Sequence, residues 1–353
     1  MIRRGLPLGA WPEADRRAWN RAIADGDIFG RGAAAHWAQT TRNAVVAAYG
    51  RWLGFLNGHE PSALNEDPLL RLMGDRLPRY VDHLTPTTGS VGRHAYLAHL
   101  RDAVRVMYPG KVPQGLSQLV ARLERECRPK SKTERIVMSP RLAALGIKLM
   151  KGAAGADGEI ANVIAFRDGL MIALLAVRPI RRRTFSLTRI GKHLCQIGEE
   201  WRLVFDGPET KSDQPFETTV PEQIEPFLKR YLKEVRPLIA GADRHDGLWA
   251  GTKGCALNGQ AIYGAIAART RAEFGHPIGP HLFRHCAATT IAILQPERIG
   301  VARDLLSHAS LTTTNAHYNK ARSIEASRHY AGVLEQLRSP KERPGCQRLK
   351  RAR

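Results

Sequence analysis

Cysteine is scarce in this 353-residue chain and poorly placed for cross-linking. Cys127, Cys195, Cys255, Cys286 and Cys346 are scattered, odd in number and form no Cys-x-x-Cys pair. That argues against a disulfide framework or a zinc site, and a reducing cytoplasm is the expected setting. No apolar run of about 18 residues is evident, so no membrane span is expected. The opening Met1-Ile2-Arg3-Arg4 leads to Pro7, Pro12, Glu13 and Asp15 and lacks the apolar core of a signal peptide. No internal repeat and no low-complexity tract is found. Acids are also short: 33 Asp and Glu face 54 Lys and Arg, a net charge of +21. Such an excess suits a polyanionic partner, because every neutralised phosphate releases condensed counterions.

What is present is otherwise ordinary. Hydrophobic residues make up 43% and charged residues 25%, the composition of a globular protein. The length suits two domains. Residues 1–30 read as a loose arm with one short helix near 13–24. A hydroxyl cap at Thr40 or Thr41 opens a helix whose stripe is Val45, Ala48, Tyr49, Trp52, Leu53 and Leu56. Tyr49 and Trp52 read as core. Further helices are expected at 69–83, 91–108 and 116–126, making 31–128 an all-helical domain. The exposed faces carry Arg42, Arg51, Arg93, Arg101 and Arg105, available to phosphates or to water. The basic stretch Arg128-Pro129-Lys130-Ser131-Lys132 reads as a linker.

A second domain is expected over 133–337. It opens with a helix at 139–150 and a Gly/Ala-rich turn at 152–158. A nearly all-apolar helix at 160–177 should be buried. Short β-type runs at 193–197, 200–205 and 216–220, with turn signals at Gly198 and Asp206-Gly207-Pro208, predict a small antiparallel sheet. Everything after Pro221 reads as helical. The final residues, 338–353, form a basic tail; from Lys341 on it holds six bases and one acid. The fold class is therefore mainly α with a small antiparallel β-sheet.

Four stretches place unusual polar groups beside apolar ones. In Arg178-Pro179-Ile180-Arg181-Arg182-Arg183-Thr184-Phe185 four arginines follow the buried helix. Guanidinium forks match pairs of phosphate oxygens, and such a cluster beside a core calls for an anion. Lys211 stands between two expected strands, where a lysine reaches a leaving oxygen as a proton donor. In Gly279-Pro280-His281-Leu282-Phe283-Arg284-His285, Pro280 suits a first helical position, and His281 and Arg284 share a helix face. The free N–H groups of a helix start add to an anion site there. Last, His308 follows Leu305-Leu306-Ser307, and Tyr318 comes ten residues later.

In this order the four stretches resemble the tyrosine recombinase (phage integrase) family. Its pattern is an Arg, a hairpin Lys, His-x-x-Arg, Leu-Gly-His and a Tyr nine or ten residues on. Arg181, Lys211, His281, Arg284, His308 and Tyr318 take those places, with Arg178 the alternative first arginine. Two positions depart from the pattern: Ser307 replaces the glycine before His308, and Thr184 replaces an acid. Tyr49-Gly50-Arg51-Trp52-Leu53 resembles the opening helix of the family's SAM-like core-binding bundle. The resemblance spans most of residues 35–335.

The resemblance implies a core-binding domain followed by a catalytic domain, together clamping double-stranded DNA at specific recombination sites. It implies a 3′-phosphotyrosyl intermediate on Tyr318 without metal, cofactor or nucleotide, and a homotetramer joining two sites. Arg181 and Arg284 would clamp the phosphate, His281 take the phenol proton, Lys211 protonate the leaving oxygen and His308 position the phosphate. A phage or other mobile element is the expected setting. Two rival readings share part of this pattern. A type IB topoisomerase uses the same chemistry without exchanging partners, and a non-catalytic DNA-binding protein on the same fold would have no use for the nucleophile.

Overall fold

The computed structural model describes residues 5–26, 30–128, 133–153, 159–210 and 213–294. The chain divides into two compact units, Met1–Ser131 and Lys132–Arg353. The described residues are mostly helical, with one three-stranded antiparallel sheet.

The first unit contains α1 (Glu13–Ile23), α2 (Gln39–His59), α3 (Arg76–Leu84), α4 (Ser90–Met107) and α5 (Gln114–Arg125). The apolar stripe of α2 forms as its spacing demands: Val45, Ala48, Tyr49, Trp52, Leu53 and Leu56 are all buried. They pack with Tyr80, Leu97, Leu100, Leu116 and Val120. The helix starts at Gln39, after Ala38 and without a side-chain cap, so the expected threonine cap is not used. The expected helix at 69–83 is interrupted. Gly74 adopts a left-handed φ of 66°, which ends a 3-10 turn at Leu70–Leu72 before α3 begins.

Residues 1–30 are not a loose arm over their described part. Trp11, Ala18, Trp19 and Ala22 belong to the core of this unit. Asp15 is fully buried and accepts hydrogen bonds from the Tyr49 hydroxyl and from Arg71 Nη1, the latter at 2.7 Å. Arg71 Nη2 donates to the Leu64 and Glu66 carbonyls at 2.8 and 2.7 Å. A buried charge is tolerated only when so paired. The partners lie 34 and 56 residues away, beyond the reach of local pattern reading.

The second unit opens with α6 (Ser139–Gly152) and α7 (Ile160–Val177). The two helices cross closely because glycines meet. A Cβ on Gly146 would fall 2.6 Å from the Gly169 carbonyl oxygen, and one on Gly169 would fall 2.7 Å from that of Gly146. The second helix is long and apolar enough, by length and composition, to cross a membrane, although Arg167 and Asp168 interrupt its apolar run. It is a core helix here: 67% of it is buried. Its two charges, Arg167 and Asp168, pair at 2.8 Å, and Arg269 Nε donates to Asp168 at 3.1 Å.

Helix α8 (Arg182–Ser186) leads to the sheet of β1 (Leu194–Ile197), β2 (Glu200–Phe205) and β3 (Phe216–Thr219), paired in sequence order. Leu194 faces Leu203 and Phe205 faces Phe216 across the ladders. Leu203 and Phe205 alternate inward as a half-buried strand requires. After α9 (Glu225–Arg230) the chain continues through a π turn and a 3-10 turn. Apart from one further 3-10 turn at Ala242–Arg244 it is then irregular to Asn258, so the all-helical expectation beyond Pro221 fails there. Trp249 anchors this stretch, its Nε1 donating to the Phe185 carbonyl at 3.1 Å. Asn258 caps α10 (Gly259–Phe274) by accepting from the Gln260 and Ala261 amides. Helix α11 (Pro280–Leu294) starts at Pro280, as expected. The expected basic tail lies outside the described residues.

Candidate active site

Arg181 sits just before α8 in extended conformation, with its carbonyl accepting from the Phe185 amide at 2.9 Å. Phe185 is buried, so the helix is fixed by its apolar residue and Arg181 is carried at its mouth. Arg284 stands on the first turns of α11, 8% exposed, and its Nη1 donates to the Pro179 carbonyl at 2.7 Å. That bond joins α11 to the turn that bears Arg181. The two arginines line one cavity of about 670 Å³ together with His281, Arg135, Arg182, Arg183 and Tyr263.

Burial, and then the nearby Arg181 charge, push the Arg284 pKa down to about 10. Both causes disfavour a cation, and both are relieved by an anion held between the two guanidiniums. Arg178 has a different task. Its Nε donates to the Thr219 carbonyl at 3.0 Å, tying the end of α7 to β3, and it is not among the residues lining this cavity.

His281 is exposed at the start of α11, and one turn later His285 brings its Nε2 within 3.4 Å of the His281 Nε2. One of the two nitrogens must carry the proton and the other must not. The ring centroids are 5.1 Å apart and edge-on. The His281–Arg284 pair therefore reaches the cavity from one helix, an exposed ring near a buried guanidinium.

Lys211, His308 and Tyr318 lie outside the described residues. The chain on the N-terminal side of Lys211 is described and tightly held. Glu209 accepts from Lys192 Nζ at 2.6 Å and from His193 Nε2 at 3.1 Å, and its Oε2 accepts from the Asp206 amide at 3.3 Å. His193 accepts the Arg189 amide at Nδ1, 3.0 Å, so Nε2 carries the proton it donates. It is buried and stacked on Phe205. The lysine and then the histidine bring the Glu209 pKa down to about 2. Thr210 Oγ1 donates to the carbonyls of Gly207 and Gln214 at 3.0 and 2.9 Å.

Sequence reasoning missed two cavity residues. Tyr263, on α10, packs against Gly279: a Cβ at that glycine would fall 2.4 Å from the ring. The glycine before Pro280-His281 is thus required by an aromatic ring 16 residues earlier, for which the sequence holds no sign. Arg135 was hidden by its position next to a basic linker. Among the described residues, no group of three or more metal-ligating side chains occurs.

The chain is similar to the tyrosine recombinase XerD of Chlorobaculum tepidum, 30% identical over 99 residues, which is 28% of this chain and 32% of that protein. It is 28% identical over 168 residues to the tyrosine recombinase XerC of Mycobacterium sp. strain KMS, covering 47% of this chain and 53% of that protein. The fold matches that of the XerH site-specific recombinase bound to a palindromic difH substrate, in a post-cleavage complex. There the TM-score is 0.57 at 14% identity, over 94% of this chain and 99% of the other. Over these stretches the chain is similar in sequence to tyrosine recombinases, and it shares their fold. No family model matches it, and its matches span about a third to a half of these curated relatives. The fold expectation, mainly helical with a small antiparallel sheet, is met.

Proposed function

We propose that this tyrosine recombinase cleaves and rejoins double-stranded DNA at specific sites through a phosphotyrosyl bond. The observation that carries this reading is the pairing of Arg181 with a buried Arg284 in one cavity, which leaves a space fit for a phosphate. Arg181, rather than Arg178, is the first arginine of the clamp, because Arg178 is committed to β3. The clamp holds the non-bridging oxygens, whose charge grows in the transition state.

In the first step the Tyr318 phenol oxygen attacks the phosphorus, and its proton passes to His281. The bond from phosphorus to the 5′-oxygen breaks, and the electron pair leaves on that oxygen. Lys211 protonates it, and His308 positions the phosphate. A 5′-hydroxyl from a second duplex then reverses the step. The phosphotyrosyl bond conserves the energy of the phosphodiester, so neither nucleotide nor metal enters. The first unit acts as the core-binding domain and the second as the catalytic domain. A homotetramer joins two sites in the cytoplasm, and a phage or mobile element is the setting.

The test is covalent capture. The wild-type chain is mixed with a pool of nicked random-sequence duplexes and then denatured in detergent. It should retain labelled DNA, and Tyr318→Phe should bind DNA but retain none. Retention by the variant moves the nucleophile elsewhere, and the absence of any adduct from the wild type favours a non-catalytic binder. A supercoil-relaxation assay beside a two-site exchange assay separates recombinase from topoisomerase.

A further inference from the structure

The cavity carries more positive charge than the proposed reaction uses. Arg135, Arg181, Arg182, Arg183 and Arg284 all line it. A phosphodiester bears one negative charge, and two guanidinium forks already serve its two non-bridging oxygens. The volume, about 670 Å³, is that of a site for a whole small ligand, not for one phosphate group.

Arg135 differs from the rest of the cluster in origin and in support. It comes from the short turn Thr133–Arg135 that opens the second unit, 46 residues before Arg181 in the sequence. Its Nη2 donates to the Pro277 carbonyl at 2.5 Å. Pro277 lies three residues before Pro280, the first residue of α11. The guanidinium is thereby moored beside the helix that carries His281 and Arg284, using one of its five donors. The side chain is exposed, as a group that meets a ligand from solvent must be.

We propose that Arg135 binds a second phosphate, the one adjoining the scissile phosphate on the same strand. Consecutive phosphates of one strand are joined through a single sugar and advance only about 3.4 Å along the duplex axis, whereas a phosphate of the opposite strand lies beyond a groove about 6 Å or more wide. The same-strand neighbour is therefore the second phosphate we place in the cavity. Arg135 then sets the register of the strand over the clamp and takes no part in the bond exchange. This proposal rests on the reading of the cavity as a DNA-cleavage site.

The test uses the full chain, with Arg135→Gln removing the charge and Arg135→Lys keeping it. Binding to a mixed-sequence duplex is measured against salt. Arg135→Gln should lower the slope of log K on log salt by about one and weaken binding about tenfold, and Arg135→Lys should keep the slope. On a site isolated by covalent capture, a neutral methylphosphonate at the adjoining phosphate should weaken wild-type binding equally. It should add nothing to the loss in Arg135→Gln, while cleavage at saturating DNA stays within about threefold. An unchanged salt slope overturns the proposal, as does a methylphosphonate loss that is full-sized in Arg135→Gln. So does a fall in saturated cleavage with normal binding, which would put Arg135 on the scissile phosphate itself. Failure of the wild type to form any adduct counts against the cleavage reading alone, because the salt slope reads Arg135 through binding.

Discussion

Arg284→Met should separate catalysis from stability. Arg284 is 8% exposed, and burial together with Arg181 brings its pKa down to about 10. For a base, a folded pKa below the unfolded one means that folding disfavours the protonated form. The penalty is complete below pH 10 and is relieved only as pH rises from there towards the unfolded value. At neutral pH it amounts to about 3 kcal/mol. The charged hydrogen bond to the Pro179 carbonyl offsets about 1.5–3 kcal/mol of this. Methionine fills the stem volume without the charge. The DNA-free variant should therefore match the wild type in stability or exceed it by up to about 2 kcal/mol. Native-state hydrogen exchange of α7 amides reads this for the second unit alone. Cleavage of a captured site should fall by about a hundredfold or more, and DNA should stabilise the variant less than the wild type. A loss of more than about 2 kcal/mol without DNA would refute the electrostatic argument. Cleavage within tenfold of the wild type would refute the clamp.

Other expectations can be checked separately. Asp15→Ala strands the buried Arg71 charge and should cost the first unit about 3–5 kcal/mol in urea unfolding, whereas Glu13→Ala, which breaks only an exposed i,i+4 pair, should cost less than about 0.5 kcal/mol; equal effects would return α1 to the status of a loose arm. Gly279→Ala forces the Tyr263 ring to move and should lower cleavage at least tenfold in a folded protein, with Tyr263→Ala restoring part of it; an unaffected single variant would show that the ring yields freely. Glu209→Gln weakens the hold on the turn before Lys211, and its cleavage defect should vanish on a substrate with sulfur at the leaving 5′ position, which departs without a proton; a defect that persists there would place the effect outside leaving-group protonation. EDTA should leave cleavage unchanged, and dependence on a divalent ion would require another mechanism.

Local periodicity made much of this fold legible. The stripe of α2, the all-apolar α7 and the three strands are set by residues that are neighbours in sequence and need only a face to bury. The errors have the opposite character. Asp15 read as one acid in a charged, proline-marked arm, and only Tyr49 and Arg71, 34 and 56 residues on, make it a core residue. The stretch around Trp249 read as helix because nothing local shows that its hydrogen bonds go to Thr188 and Phe185. The threonine cap of α2 was a plausible local device that the helix, starting one residue earlier, does not use.

The site divides in the same way. Arg181, His281 and Arg284 were legible as an ordered set, because their chemistry is written in residue types at fixed spacing. Their support was not. Arg284 is held by a backbone carbonyl at Pro179, a position that any residue could supply. Gly279 answers to a ring on another helix, and Arg135 is brought in by a carbonyl at Pro277. Each supporting contact pairs a side chain with backbone across more than 15 residues, and such contacts leave no residue-type signature at one of their two ends. They nevertheless bring several cations to one cavity. Burial and the nearby Arg181 charge both lower the Arg284 pKa, and an anion bound in the cavity would counter both. The buried Arg284 and the surplus charge of the cavity are both answered by the ligand proposed above, a strand that offers more than one phosphate.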